Sequence, residues 1–272
     1  QAEAERRHIS AALPPGTTFM DEHRRTSLLL TGDLRYVKEP LLAEYRDSGR
    51  ALDDRLLVGF DRGPTAEDVA PRIGVLLLEA LAGPLERGLD QVEVLLPCNT
   101  LAPASRWLEQ RFAEGEAGLA RLLAEADAGG RGDLDAVAGR LAGEVRVRFP
   151  TVPAAAMAAV ERSGGDALLP LGTASVPREY EEEARRCGAR ARTVPVEARW
   201  QRAASAAITA AISGDGRARA EARAGLLRVQ AEALEVHGAG LRLVEACTDL
   251  DYGVGLDSTR SYAEAVVQSL YG

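Results

Sequence analysis

The chain of 272 residues is poor in cysteine, histidine and lysine, and each scarcity excludes a class of site. Three cysteines are an odd number and do not suggest a disulfide framework, which favours a reducing, cytoplasmic setting. The three histidines show no metal-ligand spacing, and no Cys-x-x-Cys motif occurs. Lys38 is the only lysine and falls on a predicted amphipathic helix, so no lysine is suited to hold pyridoxal. We therefore expect no metal and no cofactor.

Aromatic residues and long apolar runs are also scarce. Aromatics make up 4% of the chain, too few for a base-stacking surface, and the net charge of -8 opposes binding to nucleic acid or anionic membranes. No uninterrupted apolar stretch is long enough to span a bilayer, so we expect no membrane partner. Hydrophobic residues nevertheless make up 46% of the chain, enough for an ample core in one large domain or two small ones.

Strand-like and helix-like patterns alternate along the chain. Short apolar runs predict strands at residues 26–31, 54–60, 92–96, 166–171, 191–194 and 241–246. Helical spacing of apolar residues lies between most of them, so we predict an α/β fold with a mostly parallel sheet. Residues 1–25 are polar and are interpreted as a lead-in segment. Residues 105–145 predict a helical excursion, interpreted as surface padding or an oligomer contact.

The stretch around Cys98 joins a predicted buried strand to a predicted helix. Residues 92–96 are rich in Val and Leu, as in a strand covered on both faces of a parallel sheet. Asn99 and Thr100 are predicted to cap the next helix, whose first turn holds Pro103. Cys98 is therefore expected at the carboxyl end of a strand and beside a helix N-terminus. Ligands bind at such positions in open α/β sheets, and a thiolate is favoured there.

Cys247 follows a second strand-like run and repeats this context. A hydroxyl residue and a polar residue come next, Thr248 and Asp249. Two such contexts predict a functional pair of thiols, while two inert core thiols remain the alternative. Cys187 lies instead at the predicted C-terminus of a helix. The helix dipole disfavours a thiolate there, so Cys187 is interpreted as structural.

Four short segments carry a family resemblance. They are, in chain order, Pro97-Cys98-Asn99-Thr100, Leu171-Gly172-Thr173, Ala246-Cys247-Thr248-Asp249-Leu250 and Asp257-Ser258-Thr259. Together they resemble the aspartate/glutamate racemase superfamily, whose members racemise amino acids without a cofactor. The similarity extends from about Leu56 to the end of the chain, apart from residues 105–145. The chain is nearer to the aspartate racemases, because Asp249 follows the second Cys-Thr where glutamate racemases typically have a histidine.

The resemblance implies a fold and a division of the chain. The fold is two similar α/β lobes, each a mostly parallel sheet flanked by helices, with the active site in the cleft between them. The first lobe covers residues 1–148 and includes the helical excursion, and the second covers residues 149–240. Residues 241–272, with the Cys247 strand and a C-terminal helix, are expected to pack back on the first lobe.

The resemblance also implies a site. Cys98 and Cys247 are the acid and base, one on each face of the α-carbon of the substrate. The implied substrate-binding residues are Arg62, Asn99, Thr100, Thr173, Thr248 and Asp249. Arg62 suits a bidentate carboxylate clamp, or it is a solvated loop arginine. The expected partner is a small molecule that bears a carboxylate, and a homodimer stays open.

Several motif positions depart from the family's pattern. The departures are Thr31-Gly32-Asp33 in place of a Gly-rich turn, Leu101-Ala102 in place of Ala-His, Ala246 in place of Gly, and Asp249 in place of Glu. They remodel the pocket, so we expect an acidic or modified amino acid rather than one named substrate. Alternatives on the same fold are a hydantoin racemase, a maleate-type cis-trans isomerase and a decarboxylase, the last of which resembles a one-cysteine design. A non-catalytic metabolite-binding relative is a further alternative, and it predicts buried cysteines with no cleft between them.

Overall fold

Two sheets organise the described part of the chain. The computed structural model describes residues 19–21, 26–30, 66–86, 91–96, 98–126, 132–247 and 249–271. Within these ranges the chain forms two four-stranded sheets with helices packed against them, which confirms the predicted α/β class. The predicted strand at 54–60, together with Lys38, Arg62 and Thr248, lies outside the described residues.

Strands and helices alternate through most of the described sequence. The strands are β1 (Phe19–Asp21), β2 (Thr26–Leu30), β3 (Gln91–Leu95), β4 (Arg146–Arg148), β5 (Ala167–Leu171), β6 (Arg192–Thr193), β7 (Leu241–Glu245) and β8 (Leu256–Asp257). The helices are α1 (Ala66–Glu86), α2 (Ala102–Ala113), α3 (Glu116–Glu125), α4 (Gly132–Glu144), α5 (Val152–Arg162), α6 (Val176–Cys187), α7 (Ala198–Ser213), α8 (Gly216–His237) and α9 (Ser258–Tyr271). Among the described segments, none of these helices is both long and apolar enough to cross a membrane.

The first sheet has the order β1-β2-β3-β4. Strands β2, β3 and β4 are parallel, and β3 lies between the other two, as its apolar run predicts. Strand β1 pairs antiparallel with β2 and lies within the segment interpreted as a lead-in. Three residues are too few to show the two-residue period of a strand, which is why sequence reasoning missed β1.

The segment predicted as a helical excursion contributes to the core of the first sheet. It forms most of α2 together with α3 and α4, and Leu119 and Leu122 of α3 are fully buried. A Cβ atom added at Gly74 of α1 would lie 2.5 Å from a methyl of Leu122, so α1 and α3 are in close contact. The interpretation as surface padding is therefore wrong. Leu119, Leu122 and Leu123 form one apolar stripe, which the exposed alanine and arginine between them obscured in the sequence.

The second sheet has the order β6-β5-β7-β8, and all of its strands are parallel. Helices cover both of its faces. Alternate residues of a strand point to opposite sides of the sheet, so the residues of β5 show what packs on each face. Leu169 and Leu171 of β5 pack with the apolar faces of α7 and α8. Leu168 packs on the other face with residues of α5 and α6, including Tyr180. The predicted strand at 166–171 is therefore an internal strand buried on both sides.

The C-terminal helix α9 begins at the cap that the sequence predicts. The Oδ1 atom of Asp257 accepts hydrogen bonds from the backbone N–H groups of Thr259, at 2.8 Å, and Arg260, at 3.0 Å. Helix α9 packs along α5, and the hydroxyl of Tyr262 donates to the carbonyl of Pro150 at 3.1 Å. These contacts fix the start of α9 against the edge of the second sheet.

Leu122→Ala should lower the free energy of unfolding by about 3 kcal/mol, because it removes a fully buried side chain and leaves a cavity between α1 and α3. Guanidinium denaturation followed by circular dichroism measures the change. Leu227→Ala removes the same atoms from an exposed site on α8 and should cost less than about 1 kcal/mol. Equal losses in the two variants would show that α3 does not contribute to the core.

Candidate active site

The carboxyl edge of the second sheet gathers three segments that the sequence singled out. Leu171 of β5 lies opposite Glu245 of β7, and Glu245 lies opposite Asp257 of β8. Because these strands are parallel, the residues that follow them leave the sheet at the same edge. The backbone N–H of Ala246 donates to the carbonyl of Leu171 at 2.7 Å, which holds the first two exits together.

Thr173 and Cys247 each lie two residues beyond a strand end at this edge. The residues that precede them, Gly172 and Ala246, are in close contact. A Cβ atom added at Gly172 would lie 2.6 Å from the carbonyl oxygen of Ala246. Only glycine permits this approach of two backbones. The Thr173 hydroxyl is half-buried and lies 3.4 Å from the hydroxyl of Ser175. The structure therefore brings the predicted Gly-Thr and Cys motifs to one edge.

The loop that carries Cys98 follows β3 in the first sheet. Cys98 has an extended backbone, and a short 3-10 turn, Asn99–Leu101, separates it from α2. Pro103 lies in the first turn of α2, as predicted, but neither Asn99 nor Thr100 caps that helix. The capping prediction is wrong because the inserted 3-10 turn makes Leu101 the N-cap of α2, while the side chains of Asn99 and Thr100 bond elsewhere.

The Asn99 side chain instead connects the Cys98 loop to the second sheet. It is 1% exposed, and its amide nitrogen donates to the hydroxyl of Ser258 at 3.1 Å. The hydroxyl of Tyr180 donates to its amide oxygen at 2.9 Å. Ser258 donates in turn to the backbone carbonyl of Glu245 at 2.8 Å, two residues before Cys247. A continuous path of hydrogen bonds therefore runs from the Cys98 loop to the strand end that precedes Cys247.

Each of the two thiols has an oxygen partner two residues further along the chain. The sulfur of Cys98 lies 3.0 Å from the hydroxyl of Thr100, and the Cys98 residue is 5% exposed. The thiol of Cys247 is half-buried and donates to Oδ2 of Asp249 at 3.8 Å. A hydroxyl can donate to a thiolate, whereas an ionised carboxylate can only accept and so pairs with a protonated thiol. The Thr100 hydroxyl can donate to the Cys98 sulfur or accept from it, so this contact permits a thiolate as well as a thiol, whereas the Asp249 carboxylate accepts from the Cys247 thiol.

A buried carboxylate shapes the loop that contains Cys247. Glu245, at the last position of β7, is 1% exposed and accepts hydrogen bonds from three backbone N–H groups. The donors are Tyr252 at 3.0 Å, Val254 at 2.7 Å and Gly255 at 3.2 Å. They close the loop between β7 and β8 onto its own strand. Sequence reasoning missed this role, and the available signal was a charged residue at the end of an apolar strand run.

Sequence reasoning also missed the contacts of Tyr180 and Ser258. Tyr180 was assigned only to a predicted helix, and Ser258 only to a capping motif. Both are fully buried and hold the Asn99 amide. Cys187 is at the C-terminus of α6, as predicted, and it is exposed.

A charged cluster lies beside the Asn99 contact and joins α2 to α6. Arg106 of α2 forms ion pairs with Glu179 at 2.7 Å, Glu182 at 2.8 Å and Glu183 at 3.4 Å. The side chains of Glu179 and Glu183 are 2% and 0% exposed, so their charges are removed from water. Arg186 adds a second ion pair to Glu183 at 2.6 Å. The helix that follows the Cys98 loop is therefore held to the second sheet by charge as well.

Within the parts of the chain that the structure describes, no group of three or more His, Cys, Asp or Glu side chains could hold a metal ion. Arg62 and Thr248, two of the predicted substrate-binding residues, lie outside the described residues. Comparisons with family models, with curated proteins and with solved structures find no match to this chain.

Arg106→Ala should lower the free energy of unfolding by about 3 kcal/mol, because two buried carboxylates lose a cation that they share. Urea denaturation is the suitable measurement, since urea does not screen charges. Arg217→Ala breaks an ion pair with Glu221 in which both side chains are exposed, and should cost less than about 1 kcal/mol. A loss no larger in Arg106→Ala than in this control would mean that the cluster does not hold α2 to α6.

Proposed function

We propose that the protein is a cofactor-independent isomerase that inverts the α-carbon of an acidic or modified amino acid. Cys98 and Cys247 are the two acid/base groups of this reaction. The observation that supports it most directly is the hydrogen-bonded path from the Cys98 loop through Asn99 and Ser258 to the strand end before Cys247. Two thiols that serve one carbon must come from loops held in a fixed relation, and this path provides such a relation.

The proposed reaction removes the α-proton from one face of the substrate carbon and returns a different proton to the opposite face, and the other atoms of the substrate are unchanged. The Cys98 thiolate removes the α-proton and becomes a thiol, and the electron pair left on carbon delocalises into the carboxylate as an enolate. The Cys247 thiol then donates its proton to the opposite face of the carbon. This gives the other enantiomer and a Cys247 thiolate, so the reverse reaction uses the same groups with their roles exchanged.

The partners of the two thiols support this assignment. The Thr100 hydroxyl, 3.0 Å from the Cys98 sulfur, can donate to a thiolate there. Asp249 accepts a hydrogen bond from the Cys247 thiol at 3.8 Å and so pairs with a protonated acid. The Cys98 contact permits a thiolate and the Cys247 contact holds a thiol, the two states with which the proposed reaction starts in one direction. A decarboxylase of the one-cysteine type has no need of the second thiol.

The rest of the site belongs to the same proposal. The two sheets are taken as the centres of two lobes, with the substrate cleft at the edge where the Cys98 loop meets the second sheet. Thr173 and Thr248 donate hydrogen bonds to the substrate carboxylate and to the developing enolate charge. Arg62 binds a carboxylate in a bidentate manner. The three free cysteines support a reducing, cytoplasmic location.

The first test is solvent exchange at the α-carbon. In D2O the wild-type protein should replace the α-hydrogen of its substrate with deuterium, because the proton returned to carbon comes from a thiol that exchanges with solvent. Proton NMR of aspartate, glutamate and their modified forms, in both enantiomers, measures the loss of the α-hydrogen signal. Exchange that depends on added pyridoxal phosphate or metal would contradict the proposal.

The second test separates the roles of the two thiols. Cys98→Ser and Cys247→Ser should each lower racemisation by at least about 100-fold, because a serine hydroxyl is too weak an acid to replace a thiol. With a substrate that carries a good β-leaving group, elimination needs only the base. Each variant should then eliminate from one enantiomer, and the preferred enantiomer should differ between the two variants.

The matched control for this test is the exposed third cysteine. Cys187→Ser removes a thiol at the C-terminus of α6 and should behave like wild type in both assays. Racemisation that persists in both Cys98→Ser and Cys247→Ser would exclude the thiol pair as acid and base. The same preferred enantiomer in both variants would exclude a two-sided arrangement.

A further inference from the structure

We propose that Asn99 is a positioning residue, and that its hydrogen bonds to Tyr180 and Ser258 set the place of the Cys98 thiol relative to the Cys247 strand end. This inference deepens the proposed function and rests on it. In this role the Asn99 amide acts by holding the Cys98 loop in place, and not only by contact with the substrate. The inference also assigns a role in catalysis to two side chains that touch neither thiol.

The hydrogen bonds of this path all run in one direction. Tyr180 donates to the amide oxygen of Asn99, and the amide nitrogen donates to Ser258. Ser258 donates onward to the carbonyl of Glu245, so its own oxygen is left to accept from Asn99. Turning the amide over would place the Asn99 oxygen against an oxygen that has no hydrogen to give. The path therefore holds the amide in one orientation.

The protonation state of Tyr180 keeps the path intact. Burial raises the pKa of the Tyr180 hydroxyl above its ordinary value of 10.0, so the group stays protonated and remains a donor. Ser258 and Asn99 do not ionise. The path is therefore unchanged across the pH range in which a thiol gains and loses its proton.

Both partners of the Asn99 side-chain amide are held by the second sheet or by helices packed with it. Tyr180 lies in α6 and belongs to the buried cluster that covers one face of that sheet. Ser258 is the first residue of α9, and it bonds to the last residue of β7. Cys98 directly precedes Asn99, whose side-chain amide these elements hold. A shift of about 1 Å at a reacting group can cost about 100-fold in rate, so a fixed neighbour matters to a proton-transfer site.

Two substitutions test the path by removing one hydroxyl each, namely Tyr180→Phe and Ser258→Ala. Each should lower kcat for racemisation by about 10- to 100-fold and leave KM within about twofold, because binding groups stay while the thiol loses its position. The double variant should lose less than the product of the two single losses, because both bonds act through the same amide.

A second readout follows the Cys98 thiol directly and needs no substrate. In a Cys187→Ser background, iodoacetamide alkylation of each remaining cysteine is measured by mass spectrometry. Cys98 is 5% exposed, so a loosened loop should raise its alkylation rate by about tenfold while the rate at Cys247 stays unchanged. This readout distinguishes a failure of the positioning role from a failure of the proposed reaction.

Tyr262→Phe is the matched control. Tyr262 is also fully buried, and its hydroxyl donates to the carbonyl of Pro150 at 3.1 Å, so the variant loses a comparable hydrogen bond on α9. It should lower the melting temperature much as Tyr180→Phe does, without changing kcat or the alkylation rate of Cys98.

Unchanged alkylation of Cys98 in both Tyr180→Phe and Ser258→Ala would overturn the proposal and leave the path a purely structural contact. Equal increases at Cys98 and Cys247 would also overturn it, because they would indicate general loosening. Absence of α-carbon exchange in the wild-type protein, combined with a selective increase at Cys98, would reject the reaction but retain the positioning role. If Ser258→Ala does not fold, Tyr180→Phe carries the test alone.

Discussion

The buried amide of Asn99 constrains how the two sheets meet. An amide removed from water costs about 1–3 kcal/mol for each polar group left without a partner. Asn99 is 1% exposed and finds both partners in the second half of the described chain, one in α6 and one at the start of α9. The Cys98 loop can therefore pack only where Tyr180 and Ser258 reach the amide together. Alternative placements of the loop would leave at least one of these groups unpaired.

Buried charges impose a second constraint of the same kind. Glu179 and Glu183 lie out of water beside Arg106, and a carboxylate in such a place is tolerated only with a cation or several hydrogen bonds. Glu245 meets the same requirement through three backbone N–H groups. Removing one partner of a buried ion pair is costly, because the other charge is left in the interior without compensation. In this protein the ion pairs hold α2 to α6, and the hydrogen bonds to Glu245 close the Cys247 loop.

The candidate site combines segments whose positions have different origins. Thr173 and Cys247 come together because parallel strands in register end at one edge, which is a property of the sheet. The Cys98 loop follows a strand of the other sheet, and the side chain of Asn99 connects it to the second sheet. Its place therefore depends on a few hydrogen bonds rather than on a ladder of backbone bonds. This difference makes the Cys98 side of the site the more sensitive to single substitutions.

Local patterns in the sequence were sufficient for the fold class, most strand and helix positions, the Asp257 cap and the strand-end settings of Cys98 and Cys247. Each of these depends on residues within a few positions of one another, through side-chain period or short capping bonds. The tertiary structure alone decided the buried role of α3 and the partners of Asn99, which lie 81 and 159 residues away along the chain. Hydrogen bonds between such distant side chains leave no periodic trace in the sequence, because the spacing of a single helix or strand does not relate Asn99 to either partner.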